Sequence, residues 1–169
     1  MKALCLVAHP DDCIIFGYGY IHNHLDYDWT IGYLTHTEQH PRGAEISAFW
    51  RRRGIKCVFL GFEDHWHDNE QKQFTRWNCQ DAEQACWQLA SAYDLVLTHN
   101  QDGDYGHIHH KLVYSAVAHH PVVIQFSQCG TVTYLVPPDT YSLAEVPLHS
   151  EIIGSFHPVE HRNSYKESQ

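Results

Sequence analysis

A chain of 169 residues is the size of one ordinary domain and buries on the order of 70% of the surface that its unfolded form exposes. Its 43% hydrophobic and 18% charged content suits a globular protein, and no apolar run approaches the ~18 residues of a membrane span. With 20 acidic against 11 basic residues the formal charge is -9, which repels phosphate backbones and argues against a nucleic-acid binder.

Residues 2–8 (KALCLVA) predict a strand, and 11–24 (DDCIIFGYGYIHNH) predict an amphipathic helix after it. One lysine followed directly by a short apolar run and Pro10 lacks the long apolar core and cleavage site of a signal peptide, so a cytoplasmic location is expected. A second strand is expected at 29–34, a helix at 44–53 stopped by Gly54, and a third strand at 56–60. Residues 81–93 predict a helix capped by Asp81, and 94–98 a fourth strand. A helix over 110–119 and strands at 122–126 and 131–136 complete the series.

Alternation of this kind implies a single α/β domain, Rossmann-like and three-layered, with a mostly parallel sheet between helices. It spans 1–169, with an irregular segment from 137 and a frayed polar end. Six cysteines without a CxxC pair read as free thiols rather than a disulfide framework.

In an open parallel sheet, ligands bind beyond the carboxyl ends of the strands, and here those ends are polar. The first strand ends in His9-Pro10-Asp11-Asp12, the second in Thr35-His36, the third in Glu63-Asp64-His65-Trp66-His67, and the fourth in His99-Asn100 followed by DGDYGHIHH. An imidazole and two carboxylates in four residues suit a divalent cation such as zinc. The same residues equally suit a turn in which Asp11 or Asp12 caps the next helix. Gly103 and Gly106 break the chain before His107 and His110, which lie one helical turn apart. With 16 histidines in the chain, about 1.5 such pairs are expected by chance, so a histidine-rich surface loop is an equal reading of that spacing.

Taken together, AHPDD and GDYGHIHH resemble the LmbE/PIG-L family of zinc-dependent de-N-acetylases. The resemblance extends to THNQDGDYGH, to Arg42 and Glu45 at the start of the second helix, and to the acidic LGFEDHWHD turn, covering roughly the first 120 residues in the family's order. It implies that His9, Asp12 and His110 ligate zinc, with iron or cobalt as alternative ions; that Asp11 is the general base; and that His107 stabilises the oxyanion. It also implies that Arg42 and Asp64 contact the sugar. Nearby acids favour the imidazolium form of His107 and a metal disfavours it, and the sequence does not decide between them.

Two residues depart from the family pattern. Cys13 stands where the family often has Glu, and packing of its thiol into the helix is the favoured reading. Ile108-His109 stands where Pro-Asp is often found, so a carboxylate that would orient His107 is missing. Gly17 and Gly19 read as sites of close helix packing. Trp66 either packs or stacks on a sugar, Tyr105 is open in the same way, and Trp50, Trp77 and Trp87 read as core.

The reading that results is a zinc-dependent hydrolase removing acetyl from an N-acetylated amino sugar, with a small-molecule substrate, no membrane span and room for homo-oligomer formation. Its rivals are an amidase acting on a sugar-thiol or other conjugate, and a catalytically silent sugar- or metal-binding module.

Overall fold

The computed structural model describes residues 1–64 and 77–126, together with the backbone of 66–69, 72–75 and 165–168. Strands β1 (Lys2–Val7), β2 (Asp28–Thr35), β3 (Lys56–Phe62), β6 (Leu95–Thr98) and β7 (Val123–Phe126) are parallel, and β8 (Tyr165–Ser168) closes the sheet antiparallel to β7. Their order is β3-β2-β1-β6-β7-β8, while β4 (Trp66–Asn69) and β5 (Lys72–Thr75) form a separate hairpin.

Side-chain alternation along β1 builds the three layers. Ala3, Cys5 and Val7 face a core made with Ile14, Tyr18 and Ile21 of the first helical segment and Ile46, Phe49 and Trp50 of α2 (Pro41–Arg51). Leu4 and Leu6 face the opposite core, against Ala82, Cys86 and Ala90 of α3 (Cys79–Ala90) and Leu112, Val113 and Val117 of α4 (Ile108–Val117). A strand buried on both faces reads as a continuous apolar run, which is why KALCLVA is recognisable. The expected Rossmann-like α/β class is the one observed.

Several boundaries differ from expectation. The first helix opens as a π-helical turn, Cys13–Gly17, before α1 (Tyr18–Asn23). The cap of α3 is Asn78, whose side chain accepts from the Gln80 backbone N–H; Asp81 lies in the first turn instead, where it suits the helix dipole. The β4–β5 hairpin was not expected. Residues 165–168, expected to be frayed, pair along β7, whose edge otherwise presents unpaired backbone groups. The strand expected at 131–136 and most of the irregular segment from 137 lie outside the described residues.

Gly17 packs as expected: a Cβ there would stand 3.2 Å from Cys5 Sγ and 3.5 Å from Leu97 and Phe126. Trp50 is core, whereas Trp87 is 40% exposed because α3 turns it outward. Among the described residues no helix is long and apolar enough to cross a membrane.

Candidate metal centre and active site

The order of the sheet reverses at β1: the chain moves from β1 outward to β2 and β3, then returns to lay β6 on the other side. The crevice between the carboxyl ends of β1 and β6 is therefore the topological switch point. His9 to Asp12 enter it from β1, and His99 to His110 from β6.

Three of the expected ligands converge there. His9 Nδ1 lies 3.1 Å from Asp12 Oδ2, His110 Nε2 lies 3.3 Å from the same oxygen, and His110 Nε2 lies 3.3 Å from His9 Nδ1. All three residues are buried. Bonds of about 2.0–2.1 Å to a tetrahedral zinc give ligand-to-ligand edges of about 3.3 Å, so the donor set fits that ion in type and in spacing. The cluster also attracts positive charge: burial pushes the His9 imidazole down, but Asp12, with help from Asp64, carries its pKa up to about 10. Asp12 is held well below the usual carboxylate range, because His110 and His9 outweigh the cost of its burial.

The capping alternative for the two aspartates does not hold. Asp12 makes no side-chain cap to the helix that follows; its Oδ2 accepts the His9 backbone N–H at 2.7 Å and faces the imidazoles. Asp11 turns away toward Arg42, whose Nη2 donates to Oδ1 at 2.8 Å. Burial, then the charge of Asp12, raises the Asp11 carboxyl above its ordinary value, with Arg42 opposing. Arg42 reaches its position because α2 begins beside it, with His40 Nδ1 accepting the Arg42 backbone N–H. Its Nη1 also lies 3.7 Å from Asp64 Oδ2.

His107 is the N-cap of α4, and its Nδ1 accepts the backbone N–H of His109 at 3.2 Å. That bond leaves Nε2 to carry the ring proton in the neutral form. Burial, then the positive character of His9, lowers the His107 pKa to about 3, so the neutral imidazole is the form the surroundings favour.

Asp104 is the main residue that sequence reading missed. Its Oδ2 accepts from His110 Nδ1 at 2.8 Å and from His99 Nδ1, which fixes the His110 tautomer with the Nε2 lone pair toward Asp12. His99 stacks on His110 with ring centroids 3.8 Å apart and accepts the Ala8 backbone N–H on Nε2 at 3.0 Å. With both Nδ1 atoms donating to Asp104, the His99–Asp104–His110 group acts as a hydrogen-bonded support behind His110. The Asp-Gly-Asp-Tyr-Gly run was the available signal, since Gly103 and Asp104 both adopt positive φ, at 71° and 62°.

Cys13 packs as expected: its buried thiol accepts from Trp50 Nε1 at 3.3 Å and lies 3.1 Å from Tyr33 Oη. Tyr105 is 68% exposed at the rim, its ring 5.1 Å from that of His110. Trp77, expected in the core, packs half-buried against the core cluster of Leu4 and Leu6, and its ring also lies 5.3 Å from that of His109. The side chain of Trp66 lies outside the described residues.

Residues 4–120 match the model of the PIG-L family, described as GlcNAc-PI de-N-acetylase. The chain belongs to the PIG-L family. No protein in the curated set matches it. Solved structures with this fold include the 4-carboxy-2-hydroxymuconate hydratase GalB from Pseudomonas putida KT2440, at 18% identity and TM-score 0.52, covering 75% of this chain and 66% of that one. A deacetylase–teicoplanin complex aligns at 11% identity and TM-score 0.57, covering 83% and 82%. The zinc-inhibited form of teicoplanin deacetylase Orf2 aligns at 12% identity and TM-score 0.54, covering 83% and 79%. One PIG-L-like fold thus carries a hydratase as well as deacetylases, so membership in a de-N-acetylase family, not the fold, is what bears on the reaction.

Proposed function

We propose that this PIG-L member is a metal-dependent hydrolase, a single domain over 1–169, that removes the acetyl group from an N-acetylated amino sugar. The observation that carries this reading is the convergence of His9 Nδ1, Asp12 Oδ2 and His110 Nε2 beside a buried, unligated Asp11. A zinc ion held by those three atoms would supply Lewis acidity and make a water acidic near neutral pH, with iron or cobalt able to serve in the same donor set.

Asp11 takes the proton from water as its oxygen adds to the acetamide carbonyl. Its raised pKa suits a base that must release the proton again. His107 donates its Nε2–H to the oxygen that gains charge. As the C–N bond breaks, Asp11 passes the proton to the departing amine, and acetate and the free amino sugar are the products. Arg42 holds Asp11 through one nitrogen and faces Asp64 with another, so the guanidinium that fixes the base also lines the sugar side of the crevice. Asp64, Trp66 and Tyr105 are the further substrate contacts in this reading.

The test is acetate release from a panel of N-acetylglucosamine glycosides, nucleotide sugars and lipid-linked sugars by metal-stripped protein before and after zinc is restored. Release that returns with zinc and falls about 10²–10⁴-fold in Asp11→Asn is expected. Zinc bound stoichiometrically with no acetate released from any member would overturn the substrate class.

A further inference from the structure

His9 has a second ring nitrogen, and the groups facing it include His109, which the hydrolytic reading does not use. His9 Nε2 lies 3.1 Å from His109 Nδ1 and 3.4 Å from Asp64 Oδ1, and His109 Nδ1 lies 3.9 Å from the same carboxylate oxygen. Three atoms that can each offer a lone pair, His9 Nε2 once its proton has left, therefore face one another at 3.1, 3.4 and 3.9 Å, against about 3.3 Å for the edges of a zinc coordination tetrahedron. His107 adjoins them: one ring nitrogen from each of His9, His107 and His109 falls within 4.8 Å of the others.

A proton on His9 Nε2 meets only part of this arrangement. If His9 Nε2 carries a hydrogen it satisfies one of its two neighbours, leaving His109 Nδ1 and Asp64 Oδ1 facing each other as acceptors. His109 is fully buried, and among the described residues its Nε2 has no hydrogen-bond partner. A cation on Nδ1 would leave that Nε2 as it is, so the site rests on the three facing atoms. Two imidazoles and one carboxylate are instead a donor set for a borderline divalent cation.

We propose that His9 Nε2, His109 Nδ1 and Asp64 Oδ1, with His107 adjoining, form a second zinc-type cation site that shares His9 with the site of the proposed function. The inference rests on that reading for the first site. Binding on both sides of one imidazole requires His9 to release its remaining ring proton to solvent, which makes the second site the weaker one. A cation there engages Asp64 and crowds His107, so excess zinc slows hydrolysis.

The test is a metal count on the full chain, stripped and then dialysed against rising zinc. Two equivalents are expected for the wild type, the second weaker. His109→Phe keeps the ring volume and loses only the weaker equivalent, whereas Asp12→Asn loses the tight one. A single equivalent at saturating zinc, or a second that survives in His109→Phe, overturns the proposal. Anomalous diffraction from wild-type crystals grown in excess zinc needs no variant: a peak among His9, Asp64 and His109 supports the site, and its absence overturns it. A missing peak among His9, Asp12 and His110 would instead overturn the first site, so the two failures are distinguishable.

Discussion

Asp104 adopts a left-handed backbone at φ 62°, a conformation that costs a non-glycine residue about 1 kcal/mol. The strain is offset by two hydrogen bonds from His99 and His110 and by bonds to Asn100, which accepts the Asp104 backbone N–H at 2.9 Å. An amide in place of the carboxylate removes the charge that both imidazoles point toward. Asp104→Asn is therefore expected to weaken zinc binding about 10- to 100-fold, read by competition with a chromophoric chelator. Unchanged affinity would mean that stacking on His99 alone orients His110. At this scale the resemblance carried by AHPDD and GDYGHIHH pointed to His9, Asp12 and His110 as candidate ligands, and the structure brings their side chains together. Asp104 and the partner of Arg42 were not legible, since both are contacts between segments with no marker of their own.

Elements matter here mainly through how their first turns are placed. The backbone N–H groups of Ile14 and Ile15 both reach Asp11 O, and the π-helical turn they begin leaves Asp12 free of capping duty. α2 presents Arg42 only because Gly43 lets the helix approach Thr37: a Cβ on Gly43 would stand 2.0 Å from the Thr37 carbonyl oxygen. Gly43→Ala should lower stability by about 1–3 kcal/mol in urea denaturation, and also lower kcat as Arg42 moves off Asp11. Asn78→Ala, which removes the α3 cap without touching Arg42 or Asp11, should cost about 1 kcal/mol in the same assay and leave kcat unchanged. Equal loss of kcat in both variants would show that global stability, and not the placement of Arg42, controls turnover. Helix periodicity located α2 and α3 to within a few residues, but the caps depended on competition among neighbouring polar residues, which is why Asn78 and not Asp81 begins α3.

Over the whole molecule, the switch in strand order at β1 brings residues about a hundred positions apart into one crevice. The carboxylates of Asp11, Asp12, Asp64 and Asp104 gather there, and a bound cation would stabilise the native state that concentrates them. At zinc about a thousand times its Kd this stabilisation is roughly 4 kcal/mol. Chelation should therefore lower Tm on the order of 10 °C for a chain of this size, while in Asp12→Asn, which lacks the tight site, the shift should be much smaller. A wild-type Tm indifferent to chelation would remove the metal from the account of stability. The sequence by itself determined the α/β layering, since a buried parallel strand must be apolar throughout and the helices between must be amphipathic. It also supplied candidate metal-ligating residue types at the strand ends, which few side chains can offer. Only the tertiary structure decided which nitrogen of each histidine faces which partner, that Arg42 is tied to Asp11, and that His109 lies against His9. Those outcomes depend on strand order and on the angle at which each helix leaves the sheet, and both are set by packing over the whole chain rather than by any local run of residues.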